Sequence, residues 1–233
     1  MTASQRRILV VVLVALPVAA TFSACSEPER EPLVGIETIA ENILQDIRYA
    51  GSDNFVGRPV VGYEAPRCML THEAASALAR AQDAAVQKGL SLLVYDCFRP
   101  QRAVDDFVQW AAVPGDTLTK QRYYPFLPKD SLFALGYIAE KSGHTRGSTV
   151  DLTLARDGVP IDTGSPWDLF DPVSATADTT ISAAAQANRA MLVDIMQGAG
   201  FRNYSAEWWH FTLIDEPFPA TYFDQPLTRS EAP

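Results

Sequence analysis

The stretch at 142–151, SGHTRGSTVD, constrains this chain more than any other. It sets His144 and Asp151 seven residues apart across a run of small residues, and a β-type run, TVDLTLA, begins at Thr149. A second compact signal, EWWHF, places Glu207 three residues before His210. Two imidazoles, one carboxylate ligand and one spare carboxylate are the inventory of a catalytic zinc site: three protein ligands, an open position for water, and a general base beside it. Any one of these residues alone also reads as an ordinary polar side chain. Histidine is scarce, however, with three in the chain, and two of them fall in these motifs beside carboxylates. The third, His72, stands at the start of a helix and reads as surface.

The segments around the two motifs alternate between helix and strand. A helix is predicted over 71–88, with Thr71 as N-cap and Gly89 as stop. Its stripe is Ala74, Leu78, Ala81 and Ala85. A mostly apolar, buried strand follows at 90–98, then a helix over 101–112 entered through Pro100. Arg99 therefore sits at a strand-to-helix corner, where a long side chain can project into a cleft. It is either a structural ion pair at a helix N-terminus or a second positive group on a developing oxyanion. A short helix is expected over 131–140. In the strand at 149–155, alternation puts Val150, Leu152 and Leu154 on one face and Asp151 and Thr153 on the other. A helix is expected over 180–197, with Ala184, Asn188, Met191, Leu192 and Ile195 near one stripe. In the last strand, 208–214, His210 and Thr212 share a face. Glu207 has the wrong parity for that face and belongs at a bend just before the strand. As a base it would take a proton from water; the alternative is a capping carboxylate.

The N-terminus is a targeting segment. Arg6 and Arg7 precede a short apolar run, 8–18, and small residues lead to Cys25. Residues 1–24 read as a secretory signal. The end of that signal resembles a bacterial lipobox, which implies a lipidated Cys25. Residues 25–35 are charged and rich in Pro and Glu, as a flexible tether is. The domain is then 36–233. The whole chain is 47% hydrophobic, which leaves the domain enough apolar mass for one core. The net charge of −9 repels phosphate backbones and argues against nucleic-acid binding. Cys68 and Cys97 form either a disulfide in an oxidising compartment or two small buried hydrophobes.

Ser142, His144, Gly147 and Asp151, followed by Glu207, Trp209 and His210, resemble the M15-type zinc peptidases of the hedgehog/DD-peptidase fold. NFVGRPVVGY at 54–63, DCFRP at 96–100 and WDLFD at 167–171 look like the VanX-type D-alanyl-D-alanine dipeptidases. The resemblance covers about residues 36–216. It implies an α+β fold, a small antiparallel sheet with packed helices, and one zinc ion per chain on His144, Asp151 and His210. It implies Glu207 as general base and Arg99 as transition-state stabiliser. Ser142 and Asp168 fall where the substrate's amino end is held, with Asp171 a near neighbour of the latter. Two positions depart from the pattern: Gly143 stands where many relatives have Ser, and Trp167 where Phe is common. Both are expected to reshape the pocket.

The function implied is hydrolysis of D-Ala-D-Ala to free D-Ala, in cell-wall turnover. One alternative is a D,D- or L,D-carboxypeptidase on peptidoglycan stems, which needs an open groove. Another is a non-catalytic zinc domain binding peptidoglycan or a protein, which has no need of Glu207. The expected partner is a small dipeptide. The expected location is periplasmic, with membrane contact only through a lipid on Cys25.

Overall fold

A computed structural model describes residues 31–229. The signal segment, Cys25 and the tether up to residue 30 lie outside the described residues. The fold is α+β. Strand β1 (Leu33–Gly35) pairs antiparallel with β3 (Met69–Thr71) as a small separate sheet. The main sheet runs in the order β2 (Leu44–Gln45), β4 (Ser91–Asp96), β5 (Thr149–Arg156), β8 (His210–Leu213), β7 (Phe201–Asn203). Strand β6 (Val159–Pro160) folds back on the end of β5. Every pairing in it is antiparallel except the short β2–β4 contact.

Helix α1 (His72–Val86) forms where its caps place it. Thr71 Oγ1 accepts from the Ala74 N–H. At the far end Gly89, at φ +70°, lets its own N–H reach Val86 O (2.9 Å) and the Leu90 N–H reach Ala85 O (3.1 Å). That is a Schellman stop, and the left-handed backbone it needs is what glycine supplies. The buried alanines of α1 let it lie close against β3, β4 and α4 (Ala183–Gly198). Helix α2 (Gln101–Ala111) leaves the end of β4 through Pro100, and α3 (Lys120–Tyr123) is a single turn in the long loop that follows. None of the described helices is long and apolar enough to cross a membrane.

Three sequence expectations change and one open alternative is decided. Residues 33–35, expected in the tether, form β1, and Leu33 is buried in the core. No helix spans 131–140: a 3-10 turn ends at Ser131 and Gly136 takes a φ of +80°. The segment buries Leu132 and Ile138, which do not fall on one helical stripe, leaves Phe133 and Leu135 exposed, and lines a cavity with residues 136–139. On α4 the inward stripe is Ala185, Arg189, Leu192, Ile195 and Met196. Arg189 takes the place expected of Asn188 because its guanidinium is satisfied indoors, donating to the carbonyls of Thr163, Val173 and Ala175. Cys68 and Cys97 are joined as a disulfide, the first of the two open readings.

The site is positioned by β4, β5 and β8. On β4, Val94 stands opposite Leu152; the register then shifts so that Asp96, not Tyr95, stands opposite Asp151. This bulge turns Asp96 onto the face that carries Asp151, since directly paired residues share a face.

Candidate metal centre

Asp151 on β5 and His210 on β8 are cross-strand partners. Antiparallel pairing brings two residues to one face, so the expected parity holds and both side chains point the same way. His144 arrives from a 3-10 turn, Gly143–Arg146, and its ring is almost fully buried. Ser142 Oγ starts that turn by accepting from the His144 N–H (3.2 Å). Gly147 ends it at φ +75°, where a Cβ would run into Leu33.

One ligand atom from each of these three residues lies within 4.8 Å of the other two. His144 Nε2 and His210 Nδ1 are 3.3 and 3.1 Å from Asp151 Oδ1, and 3.3 Å from each other. His144 donates from Nδ1 to the Cys97 carbonyl (2.7 Å), so its Nε2 turns a lone pair toward the carboxylate. Asp151 Oδ1 is buried and has no hydrogen-bond partner. Converging lone pairs around an orphaned carboxylate oxygen repel one another unless a cation lies between them. The donor set, two imidazoles and one carboxylate, is one that zinc takes in catalytic sites. Burial pushes the Asp151 carboxyl up, but the two imidazoles outweigh it and hold it far below the carboxylate range. Burial pulls the His210 imidazole down, and Asp151 and Glu207 more than reverse this.

Glu207 occupies the turn ahead of β8, as its parity requires. The turn is fixed by Glu207 N–H to Tyr204 O (3.0 Å) and Trp208 N–H to Ser174 O (3.0 Å). It is anchored by the buried rings of Trp208 and Trp209, packed edge to face. Glu207 Oε2 lies 3.4 Å from His210 Nδ1. Burial first, then Asp151, push its carboxyl up to about 7, against the pull of His210 and Arg99. A carboxylate that gains and loses a proton near neutrality is matched to general-base work.

Arg99 makes the structural ion pair and also lines the cavity. Its guanidinium pairs with Asp96 through Nη2 (2.8 Å) and Nε (3.1 Å), and it faces the cavity with Nη2 4.0 Å from Asp151 Oδ2. It lies over the rings of Tyr49 and Phe107, 5.0 and 5.1 Å from their centroids. Asp96 is fully buried and also accepts from the Tyr63 hydroxyl (2.6 Å).

Asp168 lines the cavity from a left-handed backbone, φ +64°, and accepts from the Tyr49 hydroxyl (2.8 Å). Burial, with Asp151 and Glu207, raises its carboxyl well above the ordinary value, despite Tyr49 and Arg99. Asp171, its neighbour in sequence, instead caps a turn by accepting from the Val173 N–H (2.9 Å). Ser142 and Gly143 line the cavity. Trp167 does not: it packs behind Tyr49 and Tyr95, so this departure cannot shape the pocket directly.

The cavity holds about 260 Å³. That is below the ~300–1,000 Å³ of sites for drug-sized ligands and suits a very small one. Apolar walls from Phe55, Phe107 and Phe170 face a polar end made by Arg99, Asp168 and Glu207. Sequence reasoning missed Asp96, Tyr49 and Tyr63. Asp96 was visible in DCFRP, but simple alternation sends it to the wrong face. Tyr63 closes the 54–63 segment without its role being legible there, and nothing local marks Tyr49.

Comparison with known proteins gives one result. The Peptidase_M15 family model, described as D-ala-D-ala dipeptidase, matches residues 29–228. A D-alanyl-D-alanine dipeptidase of Enterococcus faecium is 44% identical over 194 residues, which is 82% of this chain and 96% of that protein. One of Streptomyces coelicolor is 45% identical over 194 residues, 82% of this chain and 96% of its own. One of Escherichia coli is 34% identical over 191 residues, 82% of this chain and 87% of its own.

Proposed function

Since the chain belongs to the M15 peptidase family of D-Ala-D-Ala dipeptidases, we propose that it is a zinc-dependent hydrolase that cleaves D-Ala-D-Ala to two molecules of D-Ala. The observation that carries this reading is the bare, buried Asp151 Oδ1 facing two imidazole nitrogens at the end of a small cavity that also holds Glu207. His144, Asp151 and His210 would hold one zinc ion. When bound, zinc supplies a Lewis acid that polarises the scissile carbonyl and lowers the pKa of water.

The rest of the chemistry is the work of the chain's own residues. Glu207 takes a proton from the attacking water as the C–O bond forms. It then gives that proton to the leaving amine as the C–N bond breaks, so the base ends the cycle as it began. Arg99 turns its guanidinium toward the carbonyl oxygen as that oxygen becomes anionic; a donor so placed is worth ~2.7–4 kcal/mol. Asp168, oriented by Tyr49, meets the substrate ammonium, and Ser142 completes that end. The small cavity favours a free dipeptide over a peptidoglycan stem, which needs a groove.

The test is metal removal and base removal on the same protein. Chelated enzyme should lose D-Ala-D-Ala hydrolysis and regain it with zinc. Glu207→Gln should keep its zinc and lose ~10²-fold or more in kcat. Retained activity in both would sink the proposal.

We also propose that the protein works outside the cytoplasm, lipid-anchored through Cys25, recovering D-Ala in cell-wall turnover. The signal-like N-terminus supports this, as does a disulfide, which persists in oxidising compartments. Cys25→Ser should move the protein from the membrane to the soluble fraction. A deletion strain should lose growth on D-Ala-D-Ala as its source of D-Ala; unchanged fractionation or unchanged growth would count against the respective claim.

A further inference from the structure

We propose that the Cys68–Cys97 disulfide is a positioning device for the metal centre, holding the Cys97 carbonyl where it orients the His144 ring, so that it sets metal affinity as well as fold stability. The inference rests on the metal reading of His144, Asp151 and His210.

The three candidate ligands are not held equally. Asp151 and His210 sit on paired strands, and the β5–β8 ladder fixes both. His144 stands on a four-residue 3-10 turn. Its ring is aimed from Nδ1, by a hydrogen bond to the Cys97 carbonyl (2.7 Å), with the Asp96 carboxylate farther off at 3.5 Å. Orienting partners of this kind set both the tautomer and the direction of the ligating nitrogen.

That acceptor lies on a segment that needs help to stay in place. The β4–β5 ladder ends with the Asp96–Asp151 pair, and α2 does not start until Gln101. Residues 97–100 belong to neither element. They carry the carbonyl for His144 and, two residues on, Arg99. Apart from the Pro100 carbonyl, which accepts from Ala103 and Val104 at the start of α2, two backbone hydrogen bonds hold them: Phe98 N–H to Met69 O (2.9 Å) and Arg99 N–H to His144 O (3.3 Å). The second ties the segment to the same turn it is meant to orient, so it gives no independent reference. The disulfide does.

Cys68 is a fixed post. Its N–H donates to Gln45 Oε1 (2.8 Å), and its carbonyl accepts from the Ile36 N–H (3.1 Å). Next in the chain comes β3, and β3 also grips the other side of the site. Thr71 donates its N–H to Gly147 O (2.7 Å), and its hydroxyl meets that of Ser148 (2.9 Å). One short strand thus holds both the carbonyl that accepts from His144 and the end of the turn that carries His144. The covalent bond closes this frame at Cys97. Both sulfur-bearing residues are buried, at 0% and 1% exposure. Solvent reductants do not reach them in the folded protein, so the bond acts as a permanent brace and not as a switch.

The experiment compares the full-length protein with Cys68→Ala/Cys97→Ala. Zinc affinity is measured by competition with a chromophoric chelator, in trimethylamine N-oxide. This cosolvent favours the compact state, so the variant is folded while it is measured, as checked by near-ultraviolet circular dichroism. The expected result is zinc affinity reduced about tenfold or more, the range seen when an orienting partner is lost, although the folded population has been restored. A folded variant that binds zinc within twofold of the wild type would overturn the proposal and leave the disulfide a stabilising staple. If the wild type itself binds no zinc, the metal reading fails and the proposal falls with it.

Discussion

Asp96→Asn is the substitution whose consequences can be worked furthest. Asp96 is 0% exposed and accepts three hydrogen bonds: one from Tyr63 and two from Arg99. Its charge is the close counterion of a guanidinium that is itself mostly buried. The next anion, Asp151 Oδ2, is 4.0 Å from that guanidinium and belongs to the candidate ligand set. Removing one partner of a buried pair costs ~3–5 kcal/mol, because the other charge is left uncompensated. The lower end applies here, since Asn keeps one acceptor oxygen and Asp151 is within reach. We therefore expect a loss of about 3 kcal/mol in urea unfolding. Catalysis should suffer separately. A guanidinium drawn toward Asp151 is no longer aimed at the developing oxyanion, and losing that donor costs ~10²–10³ in kcat, with a smaller change in KM. A double-mutant cycle isolates the cause: in an Arg99→Ala background, Asp96→Asn should have almost no further effect on kcat. Additive losses in the cycle, or an Asp96→Asn enzyme with an unshifted urea midpoint and kcat within threefold of wild type, would refute the reasoning.

Three further outcomes follow from the same structure. Burial raises the Asp106 carboxyl, but Arg58, paired through both nitrogens, and the Val61 N–H hold it below its ordinary value. A carboxyl lowered by folding stabilises above its unfolded pKa of ~3.9, and the benefit is lost as pH falls through the folded value. Asp106→Asn should therefore be less stable than wild type at pH 7 in thermal melts, and the gap should close below about pH 4. Thr71→Ala removes the cap of α1 and the hydroxyl contact with Ser148; urea titration should show a loss of about 1–2 kcal/mol. Gly147→Ala forces a Cβ into the left-handed region and against Leu33. It should cost ~1 kcal/mol or more and, by shifting the His144 turn, weaken zinc binding in the chelator assay.

The parts of this molecule legible in the sequence are those governed by local rules. Thr71 and Gly89 marked the ends of α1, and strand alternation put Asp151 and His210 on the faces that meet across β5 and β8. Glu207 was assigned to a bend because its parity was wrong for the strand, and it lies in one. The failures share a different cause. Asp96 reaches the site only through a one-residue bulge, which alternation cannot foresee. Arg189 fills a core position because distant loop carbonyls satisfy it, and no apolar pattern reports such partners. Tyr49 reaches Asp168 across 119 residues of chain. The segment at 131–140 buries Leu132 and Ile138 but leaves Phe133 and Leu135 exposed, so no helical stripe forms, and residues 136–139 line the cavity.

The central claim is that this cavity accepts a free dipeptide by reading its ammonium. The most direct test is steady-state hydrolysis of D-Ala-D-Ala beside N-acetyl-D-Ala-D-Ala by the zinc-loaded protein. Acetylation removes the charge that would pair with Asp168 and adds bulk to a cavity of about 260 Å³. The value of kcat/KM for the acetylated compound should be lower by ~10²-fold or more, as when a buried polar group is left without its partner. Equal turnover of the two compounds, or faster cleavage of the acetylated one, would contradict it and make the protein a carboxypeptidase.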